Sequence, residues 1–266
     1  MAESTDGGGQ GKGECAALHT LNPTGRFTDR VGDYVRFRPS YPPEAIDAML
    51  AGLGDPAKIR AADIGAGTGI SARLLADRGV QVTAVEPNEA MRRAAGVHTG
   101  IRWVAATAEA TTLGDASQDL VVCAQAFHWF RAAEALRDFA RILCKGGRLA
   151  LVWNQRDRHD PLTCAYTAAI VAAATDPQVE RMPFDASCLT STSDFVGYGV
   201  LEFAFRQRLD LAGLIGRATS ASYVPSSGPG HERLVRDLTA AHGRHADSSG
   251  MVELVYRTQV HTAARA

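Results

Sequence analysis

The sequence predicts an α/β fold in which helices cover both faces of a doubly wound, mostly parallel sheet. Short apolar segments alternate with helical segments from residue 60 to residue 154, and a glycine-rich turn follows the first apolar segment. After residue 154, longer segments alternate apolar and polar residues, which is typical of antiparallel strands with one buried face.

The individual elements follow from the spacing of apolar residues and from the residues that bound each segment. Buried strands are predicted over 60–64, 81–86, 101–105, 120–124 and 148–154. Helices are predicted over 43–53, 70–78, 88–95, 131–144, 160–174 and 233–241. Half-buried antiparallel strands are predicted over 201–209 and 252–260. Asn88 can cap its helix, and Gly146-Gly147 can end another helix in a left-handed turn.

Composition places the chain among ordinary globular proteins. Of its 266 residues, 45% are hydrophobic and 21% are charged, and the net charge is −1. This balance argues against a nucleic-acid partner, which would require broad neutralisation of phosphates. The five cysteines are odd in number and form no CxxC pair, which favours reduced thiols in the cytoplasm. No long apolar run predicts a membrane span or a signal peptide.

The glycine-rich turn indicates a nucleoside ligand. Asp63 precedes Gly65, Gly67 and Gly69, and Glu86 closes the next strand about twenty residues later, as in a nucleoside-binding βαβ unit. The glycines let the backbone approach the ligand closely, and Glu86 suits a ribose diol. A carboxylate at Asp63 would repel a pyrophosphate but suits the ammonium group of S-adenosylmethionine. S-adenosylmethionine is therefore favoured over NAD.

Five segments in the same order resemble the motifs of class I S-adenosylmethionine-dependent methyltransferases, within the methyltransferase type 11 superfamily. The first three match the glycine-rich, ribose-binding and adenine-contacting motifs, and the last two match the fourth strand with its loop and the fifth strand with its preceding turn. They are 63–69, 84–88, 106–109, 117–130 and 145–152. The resemblance implies a Rossmann-like, seven-stranded sheet with a C-terminal antiparallel edge hairpin.

A narrower resemblance concerns residues 34–42, 126–130 and 216–223. These segments look like those of small-molecule methyltransferases related to trans-aconitate methyltransferase, whose members differ in substrate. The resemblance implies O- or N-methylation of a small molecule, with carboxylates and secondary metabolites among the candidate acceptors.

One methyltransferase domain is expected over 26–266. Residues 1–25 are rich in glycine and polar residues and are expected to be disordered, because such a segment cannot bury enough apolar area to order itself. Residues 26–42 interleave arginines with aromatics and are expected to form a lid. Residues 155–200 are expected to be an insertion over the substrate side.

The candidate cofactor-binding residues lie in the lid and near the carboxyl ends of strands, where open α/β sheets bind ligands. They are Tyr34, Arg38, Asp63, Gly65, Gly67, Glu86, Ala108, Glu109 and Gln125. Structural alternatives are open for several of them. Asp63 suits a helix or turn cap, Glu86 a solvated strand end, and Glu109 a surface charge. Arg38 suits the cofactor carboxylate, an anionic substrate or a solvated lid helix.

His128 follows the fourth predicted strand, where the donor methyl group and the acceptor are expected to meet. It is the candidate catalytic base, because histidine titrates at about pH 6.5, and the alternative is a packed histidine that shapes the pocket. Asn154, Gln155 and Arg156 are further candidates for the acceptor pocket. No metal site is predicted.

The sequence thus predicts a methyltransferase that uses S-adenosylmethionine and acts on a small-molecule acceptor. Two alternatives stay open, a NAD-dependent oxidoreductase and a non-catalytic regulator that binds S-adenosylmethionine without turnover. The sequence predicts neither the identity of the acceptor nor the oligomeric state.

Overall fold

The computed structural model describes residues 31–175 and 185–266. Within these ranges the strands are β1 (Arg60–Ile64), β2 (Gln81–Val85), β3 (Ile101–Val104), β4 (Gln118–Ala124), β5 (Leu143–Arg156), β6 (Phe195–Leu209) and β7 (Val252–Arg265). The helices are α1 (Val31–Phe37), α2 (Pro43–Leu50), α3 (Ile70–Ala76), α4 (Glu89–Ala94), α5 (Ala132–Ile142), α6 (Pro161–Ala173), α7 (Ser187–Thr190), α8 (Leu211–Thr219) and α9 (Gly228–His245). Short 3-10 turns span Pro56–Lys58 and Phe127–Trp129.

The described strands form one seven-stranded sheet in the order β3-β2-β1-β4-β5-β7-β6. Strands β1 to β5 are parallel to one another, and β7 is antiparallel to both β5 and β6. The direction of winding therefore reverses between β1 and β4, where doubly wound sheets bind ligands. The predicted fold class, including the antiparallel edge hairpin, is confirmed.

Both faces of the sheet are covered. Alternate residues of the central strands point to opposite faces, so one hydrophobic cluster packs around Phe139 of α5 and another around Leu75 of α3. A third cluster packs α6, α8 and α9 against β7 and contains Tyr166, Leu214 and Leu238. The first two clusters hold the parallel half of the sheet, and the third builds the region beyond β5.

The junction between α5 and β5 differs from the prediction. Helix α5 ends at Ile142, and Leu143 already pairs with Gln118 of β4, so the chain enters the sheet before the glycines. Gly146, with a φ of +75°, lies inside β5. The prediction that Gly146-Gly147 ends the helix is therefore wrong. The predicted Asn88 cap is confirmed, because Asn88 Oδ1 accepts from the Met91 N–H at 3.2 Å.

Strands β6 and β7 are joined through helices rather than a tight turn. Their pairing closes at Leu209 and Val252, and α8 and α9 lie between these residues in the chain. Strand β6 begins at Phe195, within the segment predicted as an insertion. Residues 1–25 and 26–30, assigned to the tail and the lid, lie outside the described residues. In the described ranges, no helix has the length and apolarity to span a membrane.

Candidate functional site

The glycine turn, defined as residues 65–69, brings the end of β1 close to the segment that follows β4. Gly65 and Gly67 have φ angles of +69° and +57°, which residues with a Cβ rarely adopt. A Cβ on Gly65 would lie 2.7 Å from Ala126 Cβ. The Gly65 N–H donates to the carbonyl oxygen of Val85 at 2.9 Å, which fixes the turn against β2. Position 65 therefore requires glycine for both conformation and space.

Glu86, immediately after β2, joins the glycine turn to the start of α4. Its Oε2 accepts from the Gly67 N–H at 2.9 Å, and its Oε1 accepts from the Asn88 N–H at 2.8 Å. Burial raises the pKa of Glu86, opposed by these two hydrogen bonds and by the charge of Arg92. Each carboxylate oxygen keeps further acceptor capacity for a hydroxyl donor. The predicted contact with a ribose diol is compatible with this geometry and stays a prediction.

Asp63 lies at the end of β1 but is fully buried rather than exposed at the glycine turn. Its Oδ2 accepts from the Ser71 hydroxyl at 2.6 Å, which anchors the first turn of α3. Burial raises the pKa of Asp63 to about 7, against the lowering effect of Ser71 and the Ala72 N–H. Its Oδ1 has no hydrogen-bond partner in the described part of the chain. The side chain therefore positions the turn, and its predicted contact with an ammonium group stays a prediction.

The third motif lies between β3 and β4. Ala108 is buried in the cluster around Phe139. Glu109 Oε1 accepts from the Arg131 N–H at 2.9 Å, so this carboxylate stabilises the first turn of α5. The structural role of Glu109 is thus visible in the fold, and the predicted cofactor contact of Ala108 and Glu109 stays a prediction.

Gln125 follows β4 in a strained conformation. Its φ is +57°, an angle that costs a residue other than glycine about 1–2 kcal/mol. The Gln125 N–H donates to Val152 O at 2.8 Å, which draws the chain towards β5 at this point. Its side-chain amide reaches the Asn154 carbonyl oxygen at 3.4 Å. Such outliers persist where the surrounding structure holds them and often mark functional sites.

His128 lies in the 3-10 turn that follows Gln125. Its ring is close to that of Trp129, with 5.0 Å between centroids. Burial, together with the positive charge of Arg38, lowers the pKa of His128 to about 4. The imidazole is therefore neutral at physiological pH and is a weak base. This environment fits the packed alternative better than the catalytic one, and the role itself stays a prediction.

Of the two candidate residues in the lid, the structure describes the side chain of Arg38. Arg38 follows α1, and its Nη2 donates to the Ser220 carbonyl oxygen at 3.3 Å. Helix α1 packs on α8 through Phe37, whose ring lies over Gly216. A Cβ at position 216 would come within 2.3 Å of that ring. The side chain of Tyr34 lies outside the described residues. The structure therefore brings Arg38 close to His128 and leaves Tyr34 as a prediction.

Beyond β5, the structure assembles charged and aromatic side chains that we call the arginine–tyrosine cluster, comprising Arg156, Tyr166, Arg217 and Tyr256. The guanidinium of Arg156 lies over the Tyr166 ring at 5.3 Å from its centroid. Tyr256 donates from its hydroxyl to Gln207 Oε1 at 3.3 Å. Burial lowers the pKa of Arg217, but the facing phenol oxygens of Tyr256 and Tyr166 raise it by more, so Arg217 stays charged.

Sequence reasoning named Arg156 as a candidate but missed Tyr166, Arg217 and Tyr256. These three side chains come from α6, α8 and β7, which are far apart in the chain. A signal for Arg217 was available, because it is the one charged residue of the helical segment 211–219, which is otherwise mostly apolar. A buried arginine in such a helix generally has a specific partner.

Several known proteins are similar to this chain. Residues 62–151 match a family model described as a methyltransferase domain. A protein of Mycobacterium tuberculosis named as an uncharacterized methyltransferase is 37% identical over 233 residues, covering 85% of this chain and 90% of that protein. A putative type II methyltransferase structure from Anaeromyxobacter dehalogenans is 25% identical with a TM-score of 0.56, covering 86% of this chain and 97% of that one.

A further similarity, at lower sequence identity, is to a structure from Haemonchus contortus. A phospholethanolamine N-methyltransferase of Haemonchus contortus, solved with phosphomonomethylethanolamine and S-adenosylhomocysteine, has a TM-score of 0.55 at 14% identity. The similarity covers 95% of this chain and 61% of that chain, and it concerns the fold.

Proposed function

This chain belongs to the class I S-adenosylmethionine-dependent methyltransferase family, and we propose that it transfers a methyl group from that cofactor to a small-molecule acceptor. The observation that carries the proposal is the glycine turn held by Glu86 at the switch point of the sheet. The cofactor product found in the Haemonchus relative supports the same cofactor.

The residues around the glycine turn fit the cofactor. A backbone that only glycine can adopt at position 65 gives close approach, and Glu86 offers a carboxylate to the ribose diol. We assign the adenine side to Ala108 and Glu109, and the carboxylate of the cofactor to Arg38 and Tyr34. Asp63, buried beneath the turn, is assigned to positioning the turn for the ammonium group. Gln125 closes the site at the end of β4.

The bound cofactor supplies a sulfonium-activated methyl group, so this chain's own contribution is alignment of the acceptor and exclusion of water. His128 is neutral at pH 7 because its pKa is about 4, and a group of this basicity removes few protons. We therefore assign His128 to shaping the pocket. An acceptor atom that is unprotonated at pH 7, such as a carboxylate oxygen, needs no base at this position.

Ligand-dependent unfolding tests the cofactor assignment. S-adenosylhomocysteine is expected to raise the Tm of the purified protein, whereas NAD is expected to leave it unchanged, because only a ligand that binds the folded state stabilises it. A Tm that responds to NAD alone would favour the oxidoreductase alternative. Release of S-adenosylhomocysteine is then measured across small acids, phenols and nitrogen heterocycles, and binding without release by any acceptor would favour the regulator.

Substitution of His128 separates the two roles of this residue. His128→Ala is expected to lower kcat by less than about tenfold, because a packed ring contributes alignment rather than proton transfer. A loss beyond about a hundredfold, with unchanged affinity for S-adenosylhomocysteine, would instead identify a general base. His242→Ala is the matched control, since His242 lies at the end of α9 and its ring nitrogen is 3.1 Å from Gly250 O.

A further inference from the structure

Arg217 is a buried cation for which the described residues provide no counter-ion. Its exposed fraction is 7%, and the groups that raise its pKa most are the tyrosines Tyr256, Tyr166 and Tyr223 rather than carboxylates. Its guanidinium is hydrogen-bonded to the Tyr256 side chain and its Nη1 approaches the Ser220 hydroxyl at 3.5 Å, but its Nε has no hydrogen-bond partner in the described ranges. Because guanidinium remains charged in proteins, burial without an anionic partner is costly.

Tyr166 adds a second unpartnered donor. Its side chain is fully buried, and its hydroxyl has no hydrogen-bond partner within residues 31–175 and 185–266. Burial raises the pKa of the Tyr166 hydroxyl, and among the neighbouring charges Arg217 opposes this rise most strongly. A buried hydroxyl and a buried guanidinium N–H both call for an acceptor, and one carboxylate has enough lone pairs for both.

Two more positive charges face the same phenol. The positive charges of Arg156 and Arg38, like that of Arg217, oppose the rise in the pKa of Tyr166 that burial causes. The charge of Arg38 also lowers the pKa of His128. The arginine–tyrosine cluster therefore lies next to the turn after β4, where the methyl group is expected to be delivered. An excess of guanidinium groups beside aromatic rings is the arrangement that binds planar anions.

We propose that Arg217 and Tyr166 bind a carboxylate of the acceptor, so that the substrate class of this enzyme is small organic acids. The proposal rests on the proposed function and specifies its acceptor. A carboxylate can also come from the amino-acid part of the cofactor. The acceptor is the better source, because Arg217 and Tyr166 belong to the cluster of α6, α8 and β7, whereas the glycine turn packs against β2 and the segment after β4.

The first experiment measures Tm of the protein saturated with S-adenosylhomocysteine. The probes are a panel of mono-, di- and tricarboxylic acids, including benzoate and succinate, each paired with its neutral amide. At least one acid is expected to raise Tm, and its amide is not. Arg217→Met is expected to abolish this response while leaving the Kd for S-adenosylhomocysteine within about twofold of the wild-type value. No response to any acid, or an equal response to an acid and its amide, would contradict the proposal.

The same variant distinguishes the two sources of carboxylate. If Arg217→Met weakens S-adenosylhomocysteine at least about tenfold and preserves the response to acids, the anion is that of the cofactor, and the proposal fails while the proposed function stands. Without acid, Arg217→Met is expected to unfold at an equal or higher Tm than the wild type, because the substitution removes an unpaired buried charge. A lower Tm in that state would indicate a structural arginine.

Tyr166→Phe keeps the proposal falsifiable if Arg217→Met does not fold. It removes only the hydroxyl, so the Kd for the responding acid is expected to rise about three- to tenfold with no change in cofactor affinity. An unchanged Kd for the acid would contradict the proposal. Arg233→Gln is the matched control, because Arg233 is an exposed arginine on α9 that faces Asp237 at 3.7 Å, and it is expected to alter neither affinity.

Discussion

The proposed cofactor side, around Glu86, and the proposed acceptor side, around Arg217 and Tyr166, differ in how their polar groups are hydrogen-bonded. On the cofactor side, the carboxylate oxygens of Glu86 accept hydrogen bonds from backbone N–H groups of the chain itself. On the acceptor side, Arg217 Nε and the Tyr166 hydroxyl have no partner among the described residues. The cofactor side is therefore held in shape by its own hydrogen bonds. The proposed acceptor side carries the buried charge of Arg217, for which the described residues provide no anionic partner.

The largest effect is expected at Gly65, where the glycine turn has no room for a side chain. Gly65→Ala is expected to lower the free energy of unfolding by about 3–5 kcal/mol and to abolish binding of S-adenosylhomocysteine, because it combines an unfavourable φ with overpacking against Ala126. Urea unfolding and calorimetry measure the two effects. Gly79→Ala is the control, because Gly79 has a φ of +88° but open space around its Cβ position. It is expected to lose only about 1–2 kcal/mol, and equal losses would show that crowding is unimportant.

Substitution of Asp63 tests whether its buried carboxylate lowers the stability of the folded protein as pH rises towards 7. Since its pKa is about 7 in the folded protein, the folded state binds more protons than the unfolded state between about pH 4 and 7, and stability falls as pH rises through this window. Asp63→Asn removes that contribution. The variant is expected to gain about 2–4 kcal/mol relative to the wild type between pH 4 and pH 7.

Urea unfolding at several pH values measures this difference between Asp63→Asn and the wild type. His128 has the opposite sign, because its lowered pKa makes stability fall as pH drops from about 6.5 to 4, but it is present in both proteins. Asp237→Asn, at an exposed position on α9, is the control. Parallel pH profiles for Asp63→Asn and the wild type would contradict the assignment.

Glu86 tests the independence of the two sides. Glu86→Ala leaves the Gly67 and Asn88 N–H groups without their acceptor, and it is expected to cost about 2 kcal/mol of stability and at least about tenfold in affinity for S-adenosylhomocysteine. The response of the variant to carboxylic acids, measured at saturating S-adenosylhomocysteine, is expected to survive, since Arg217 is unaffected. Glu89→Ala, which removes an exposed carboxylate paired with Arg93, is the control. Loss of both responses would mean that the two sides form one cooperative unit.

The smallest effect is expected where the lid meets the acceptor side. Gly216→Ala would push the Phe37 ring away from α8, but a side chain can swing aside, so the expected loss of stability is below about 1 kcal/mol. The change is expected to appear as faster hydrogen exchange in α1. Gly243→Ala, in open space on α9, is expected to stabilise the protein by up to about 1 kcal/mol and to leave α1 unchanged.

The cofactor side was largely predictable because its residues are close in sequence. The glycine turn and Glu86 belong to one βαβ unit, and the order of strands and helices predicted the sheet. The burial of Asp63 was not predictable, because it depends on how α3 packs over β1. The arginine–tyrosine cluster could not be found by spacing, since Tyr166, Arg217 and Tyr256 meet only after α6, α8 and β7 pack together.

The placement of α8 between β6 and β7 has a consequence for how this enzyme can be diversified. The two strands pair from Phe195–Arg265 to Leu209–Val252, so the chain leaves and re-enters the sheet at neighbouring points. Residues 210–251 thus form one continuous segment, inserted between the paired ends of β6 and β7, that includes Arg217. Grafting residues 210–251 together with α6, which carries Tyr166, between relatives is expected to transfer acceptor preference while the recipient keeps its own cofactor affinity.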